Sequence, residues 1–263
     1  MLGSIIGDIV GSIYEFDNTK TKDFELFQPE MERTDDSILC IATADWLLHG
    51  GEVSHYYSRY ALEYPYPMGG YGGMFKAWSS KVARQGIHEP YNSCGNGSAM
   101  RIAPVGWAFE TEREVLEAAK VSASCTHNHP EGIKGAQATA LCIFLARQGH
   151  TASDIRARIE RDFGYDLSMS VKELQRRYSW QGIDGKGDGG ICQDSVPQAI
   201  ICALQAKDFE DAIRNAISIG GDSDTIGCIA GGIAEALYGI PESIKERAWK
   251  YLDETEGRTV RSF

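Results

Sequence analysis

Two short runs of this chain carry more oxygen ligands than their positions require. They are Thr34-Asp35-Asp36-Ser37 and Asp222-Ser223-Asp224-Thr225. Each leads into an apolar stretch of helical character, ILCIATADWLLHGG in the first case and IGCIAGGIAEALYG in the second. A helix start is satisfied by one acceptor for its free N–H groups, and one Asp, Ser or Thr supplies it. Two acids and a hydroxyl at each start leave a surplus. Either run alone reads first as a cap with a solvated neighbour. Together they suit a pair of hard divalent cations, Mg2+ or Mn2+, which take carboxylate and hydroxyl oxygens. The second helix has Glu235 as its only charged residue beyond the run, so its acids are expected at the mouth of a core. Acids packed there repel one another unless a cation joins them.

Other residues could complete such a site. Asp8 and Glu15 are seven apart with Ser12 between them, one face of a helix. That face is either a solvated polar stripe or a source of a ligand or general base, with Glu15 on a mobile turn beside Phe16-Asp17-Asn18. Ser93-Cys94-Gly95-Asn96-Gly97-Ser98 leads into the start of a helix. It is either a plain turn or a cradle of backbone N–H groups suited to a diphosphate. Cys125-Thr126-His127-Asn128-His129 lacks a fourth spaced zinc ligand. Its histidines read as structural or as contacts to a phosphate or ribose. An aspartyl phosphatase reading of Asp222-Ser223-Asp224-Thr225 does not hold, because the preceding AIRNAISIGG is helical rather than a strand.

The elements that must position these groups are helices. Helical spacing of apolar residues recurs in REVLEAAKVSASC, GIKGAQATALCIFLARQ, DIRARIERDFG, SVPQAIICALQA, FEDAIRNAISIG and ESIKERAWKYLDE. Strand-like alternation is nearly absent, and no linker or internal repeat stands out. The expectation is an all-α, single-domain helical bundle over residues 1–263. Gly3, Gly7 and Gly11 form a smooth stripe on the first helix, and Gly227, Gly231 and Gly232 do the same on the late one. Glycine inside a helix costs about 0.5–1 kcal/mol relative to alanine, so close packing or a nearby ligand is implied. Residues 64–73 (YPYPMGGYGG) and 180–190 (WQGIDGKGDGG) read as surface loops.

The overall balance narrows the partners. A formal charge of −11 disfavours nonspecific attraction to nucleic acid or anionic membranes. Seven cysteines without a Cys-x-x-Cys pair fit a reducing compartment. The opening MLGSIIGDIVGSIYEF has no basic flank and is interrupted by Asp8, so neither a signal peptide nor an anchor is expected. These features point to a cytoplasmic protein.

In this order, GDIVGSIYE, TDDS, GNGSAMRIAPVG, THNHPEGIKGAQA and GGDSDTIGCIAGGIAEALYG resemble the ADP-ribosylglycohydrolase family, which includes the dinitrogenase-reductase-activating glycohydrolase. The resemblance runs from residue 3 to residue 239. It implies an orthogonal all-α bundle and a binuclear Mg2+ or Mn2+ centre that removes ADP-ribose from modified arginine or serine side chains. By the resemblance, Thr34, Asp35 and Asp36 would hold one metal, Asp222 and Thr225 the other, and Asp224 both. Glu15 matches the family's mobile glutamate and, with Asp35 and Asp36, is a candidate for the catalytic group that takes a proton from an activated water. Gly95, Asn96, Gly97 and Ser98 would line the diphosphate and proximal ribose with His127 nearby, and His129 is a lesser candidate. The loop carrying Gly69 and Tyr71 would pass beside the distal ribose. That loop has no acid, whereas the nitrogenase-regulating members place an aspartate there. An ADP-ribosylated protein is the implied partner and free ADP-ribose the implied product. Other readings are a small-molecule or nucleic-acid ADP-ribose conjugate as substrate, or a non-catalytic relative of the J-type lens crystallins.

Overall fold

The computed structural model describes residues 1–263. In chain order its helices are α1 (Leu2–Gly11), α2 (Asp35–His49), α3 (Val53–Glu63), α4 (Gly73–Gln85), α5 (Gly97–Met100), α6 (Ala103–Ala108), α7 (Glu112–Ser124), α8 (Pro130–Arg147), α9 (Ala152–Phe163), α10 (Val171–Arg177), α11 (Cys192–Leu204), α12 (Phe209–Ser218), α13 (Ser223–Tyr238), α14 (Glu242–Ala248) and α15 (Glu254–Ser262). Strand pairing is limited to two isolated bridges, Thr34 with Met68 and Gly95 with Ile191. The protein is all-α, and no helix is long and apolar enough to cross a membrane.

Glycine sets the packing at the centre. Every residue of α1 is buried, as is α13 from Ser223 to Ala234. The two helices meet backbone to backbone. A Cβ on Gly3 would lie 2.3 Å from the carbonyl oxygen of Gly231, and one on Gly7 would lie 1.9 Å from that of Gly227. At the end of the stripe a Cβ on Gly11 would stand 2.4 Å from the Cα of Asp224. No other residue type fits at these three positions, and the dispersion contacts of two apposed main chains offset the helix cost of glycine. The stripe expected from spacing is therefore the α1–α13 interface, and it delivers Asp8 and Asp224 to the same place.

Around this pair pack α2, α6, α8, α11 and α12, with α6 also lying against α8. Helices α3 and α4 pack on each other as a hairpin whose tip is the 64–72 loop. The Thr34–Met68 bridge fastens that tip beside the start of α2.

The tail differs from the periodic reading. ESIKERAWKYLDE does not run as one helix: α14 stops at Ala248, a 3-10 turn covers Trp249–Tyr251, and Leu252 is extended. Asp253 then caps α15 in a reciprocal box with Glu256. Strong capping chemistry at Asp253 overrides the continuing apolar period.

Candidate functional site

At the start of α2, Thr34 is extended (φ −102°, ψ −169°) and its Oγ1 accepts from the N–H of Asp36 at 3.2 Å. The hydroxyl does the capping. The acids of this turn are thereby free for other work. Asp8 reaches across from α1: its Oδ2 accepts from the N–H groups of Thr34 and Ser37, both at 3.0 Å, and its Oδ1 from Thr34 Oγ1 at 2.7 Å. It is wholly buried, so the solvated-stripe reading of Asp8 does not hold. It ties the first acidic turn to α1.

The second acidic turn is arranged differently. Asp222 occupies the N-cap position of α13, yet its side chain caps nothing. Instead its Oδ2 accepts from Asn96 Nδ2 at 2.6 Å. A second amide secures the residue before it from the other side. Asn18 Nδ2 donates to the carbonyls of Tyr14, Glu15 and Gly221, while Asn18 Oδ1 accepts from the N–H of Gly221. Asn18 thus joins the turn that carries Glu15 to the approach to Asp222.

These anchors bring the carboxylates into two overlapping triads. Ligand oxygens of Asp8, Asp36 and Asp224 lie within 4.8 Å of one another, and so do those of Glu15, Asp222 and Asp224. Asp224 belongs to both. Burial is the main force on their protons; neighbouring carboxylates add to it for all but Asp8, where hydrogen bonds from Thr34 and Ser37 oppose it. Asp8 is raised above the usual carboxylate range, Asp35, Asp36 and Asp224 are raised well above it, Asp222 is pushed up to about 6 and Glu15 to about 8. Asp36 Oδ1 and Asp224 Oδ1 are buried without a hydrogen-bond partner. Unpartnered buried carboxylate oxygens are costly, and a divalent cation satisfies them directly. The all-oxygen donor set fits Mg2+ or Mn2+. Asp35 and Thr225 line the cleft beside the triads. Thr34 stays buried beneath them.

The triads form one end of a cleft of ≈ 560 Å³, a volume ordinary for a small-molecule site. Gly69 and Tyr71 from the hairpin tip line one wall. Gly69 has φ +74°, a conformation that favours glycine, and a Cβ there would lie 2.6 Å from Glu15 Oε2 and displace this carboxylate. Gly95, Asn96, Gly97 and His127 line the cleft as well. Ser98 does not: its hydroxyl is buried and donates to the carbonyl of Gly132 at 2.7 Å. His129 is also elsewhere engaged, as the cap of α8 accepting from the N–H of Glu131.

His127 is buried and fixed from behind. Its Nδ1 meets Thr126 Oγ1 at 2.8 Å, and Thr126 Oγ1 in turn accepts from Arg101 Nη2 at 2.8 Å. A hydroxyl that accepts from arginine has its proton available for Nδ1, which leaves Nε2–H as the donor turned toward Gly97. Burial, with the Arg101 charge adding to it, holds the imidazole well below its usual pKa and therefore neutral. Arg101 is wholly buried, has no acidic partner, and lies over the Tyr57 ring at 4.0 Å.

The 180–190 loop is exposed at its tip, Asp184 to Asp188, as expected of a surface loop, and its two ends join the site. Trp180 Nε1 donates to the carbonyl of Glu15 at 2.8 Å and its ring stacks on Phe16. At the far end of the loop, the N–H of Asn96 donates to the carbonyl of Gly190 at 3.0 Å. The residues that motif reading passed over are Asn18, Arg101, Thr126 and Trp180. Their signal in the sequence is faint, although Arg101 does follow an apolar-flanked turn in which a charge is out of place.

Comparison with known proteins identifies relatives along the whole chain. The family profile described as ADP-ribosylglycohydrolase matches residues 1–262. ADP-ribosylhydrolase ARH3 of Homo sapiens is 30% identical, the alignment covering 97% of this chain and 89% of that protein. ADP-ribosylarginine hydrolase Tri1 of Pseudomonas putida (strain GB-1) is 27% identical over 95% of this chain and 73% of that protein. Among solved structures, a chain of an ADP-ribosylglycohydrolase-related protein complex superposes with a TM-score of 0.68 at 24% identity, covering 98% of this chain and 94% of that one, and so shares the fold. With a profile match over essentially its whole length, this chain belongs to the ADP-ribosylglycohydrolase family of enzymes.

Proposed function

We propose that the protein is a hydrolase, dependent on two Mg2+ or Mn2+ ions, that cleaves the glycosidic bond between ADP-ribose and a modified protein side chain and releases ADP-ribose. The observation that carries this reading is the pair of carboxylate triads sharing Asp224 in a cleft that glycine backbone and a neutral histidine also line. Asp36, Asp222 and Asp224, with Asp8 and the nearby Thr34, Asp35 and Thr225, would hold the cations. When bound, such ions stabilise developing negative charge on oxygen and lower the pKa of water.

The chain's own groups supply the rest. The N–H of Gly97 and His127 Nε2–H suit the diphosphate and proximal ribose as donors, whereas the N–H groups of Gly95 and Asn96 are already held by Ser93 Oγ and the Gly190 carbonyl. Gly69 and Tyr71 would flank the distal ribose and hold it against the triads. Cleavage at its anomeric carbon passes through an oxocarbenium-like state, for which a carboxylate must accept a proton from the attacking water. Glu15 suits that role: it reaches the cleft, and its pKa near 8 without a cation falls toward neutrality when positive charge is placed beside it. Arginine is the side chain favoured by the similarity to Tri1. Residues 1–263 are read as one catalytic domain, supported by a single continuous hydrophobic cluster. The seven unpaired cysteines support a cytoplasmic setting.

The test is release of free ADP-ribose from arginine- and serine-modified peptides, with EDTA, Mg2+ or Mn2+, by the protein and by Asp224→Asn. Cation-dependent release that the substitution abolishes is expected, with arginine the preferred linkage. Release that persists in EDTA would overturn the cation requirement. Release from ADP-ribosylated nucleic acid or a small conjugate only would overturn the protein substrate.

A further inference from the structure

A second cluster of ligating side chains lies away from the cleft. Glu52, His55 and His88 place one donor atom each within 4.8 Å of one another. The two imidazoles meet edge to face with centroids 4.6 Å apart and planes at 88°, and Glu52 Oε2 is 3.8 Å from His88 Nδ1. Glu52 stands at the N-cap of α3 but makes no capping bond, so its carboxylate is not committed to the helix. Behind the cluster the buried Ser54 meets His88 Nδ1 at 2.7 Å through its hydroxyl, a contact of the kind that orients a ligating imidazole.

We infer that Glu52, His55 and His88 form a Zn2+ site. Two imidazoles and one carboxylate, with solvent able to fill the remaining position, suit zinc, whereas the oxygen-only triads of the cleft suit harder ions. Tetrahedral zinc holds its donors about 3.3 Å apart. The donors must therefore close by no more than about 1.5 Å, within reach of rotations about the exposed Glu52 and His55 side chains. The place of the site gives it a consequence. Glu52 and His55 open α3, and His88 follows the left-handed Gly86 that ends α4. The ion would clamp the base of the α3–α4 hairpin, whose tip carries Gly69 and Tyr71 into the cleft.

The experiment titrates Zn2+ calorimetrically into protein kept in excess Mg2+, alongside Asp224→Asn, His55→Gln and His88→Gln, with circular dichroism as the folding control. In parallel, the imidazole 15N signals of the unsubstituted protein are followed during the titration. One zinc per chain is expected, retained in Asp224→Asn and weakened at least about tenfold in either histidine variant, with the His55 and His88 signals shifting together. Absence of binding, binding that His55→Gln and His88→Gln leave intact, or imidazole signals that do not move would overturn the assignment. Because the readout is binding under excess Mg2+, its failure leaves the hydrolase reading of the cleft untouched.

Discussion

The side-chain amide of Asn96 donates to Asp222 Oδ2 at 2.6 Å, joining the Gly95–Gly97 loop directly to the acids of the cleft. Asn96 also fastens to the 180–190 loop through its backbone N–H and Gly190. It is an outer-shell partner of an acid proposed to hold a cation, and losses of such partners typically weaken metal binding about 10- to 100-fold. Asn96→Ala is expected to reduce Mn2+ affinity by about tenfold, measured by calorimetry, and to raise KM for the ADP-ribosylated peptide. Unchanged Mn2+ affinity would show that Asp222 needs no such support.

Contact of Gly11 with Asp224 separates packing from ligation. Gly11→Ala and Gly3→Ala both force a Cβ into the α13 main chain, at 2.4 Å and 2.3 Å respectively. Overpacking of this kind costs about 1–3 kcal/mol, so both variants should lose several degrees in Tm. Only Gly11→Ala moves the backbone of an acid in both triads. It alone is expected to lose cation-induced stabilisation, and equal loss in the two variants would refute local control of the acids by this contact.

Proton uptake by the acids fixes the sign of a pH effect. With no cation bound, Glu15 sits near 8 and Asp222 near 6, both above an unfolded carboxyl at about 4. The folded chain then holds protons that the unfolded chain has released, so this contribution to stability is present at low pH and is lost as pH rises through about 6 to 8. In EDTA, Tm is expected to fall between about pH 5 and about pH 8.5; saturating Mg2+ should flatten or reverse the trend. A flat EDTA profile would contradict the repulsion argued for these acids.

The Arg101–Thr126–His127 chain predicts a defect of binding rather than of chemistry. Thr126→Val removes the hydroxyl between the guanidinium and Nδ1 while keeping the shape of the side chain. His127 should then populate both tautomers, visible in its 15N shifts, and KM should rise by about tenfold, the value of roughly 1.4 kcal/mol of lost hydrogen bonding, with kcat much less affected. A single Nε2–H tautomer in Thr126→Val would rule out the hydroxyl as the determinant.

Much of the site is legible in the sequence because it consists of chemical surplus. Two acids where one cap suffices, and glycines where helices disfavour them, stand out in any sequence, and both lead to the α1–α13 contact. The burial of Asp8 is not legible, because it depends on which helix covers α1, and that partner lies at the other end of the chain. The roles of Asn18 and Trp180 are hidden for the same reason: each acts on the carbonyl of Glu15 or Gly221, and carbonyls leave no mark in a sequence. Ser98 misleads in the opposite direction. It sits in a loop of suitable composition, but the four-residue helix α5 turns its hydroxyl away from the cleft toward Gly132.

The pairing of α1 with α13 also governs how the protein is made. Gly11 and Asp224 are 213 positions apart, so at about 5–20 residues per second α1 waits roughly 10–40 s for its partner to be synthesised. Throughout that interval an almost entirely apolar helix has no glycine face to close against. Neither carboxylate triad can form until it does, since Asp224 belongs to both. A ribosome-bound chain stalled before residue 222 therefore carries the Gly95–Gly97 and His127 wall but neither triad, and its first helix is the natural target of chaperones that shield exposed apolar segments.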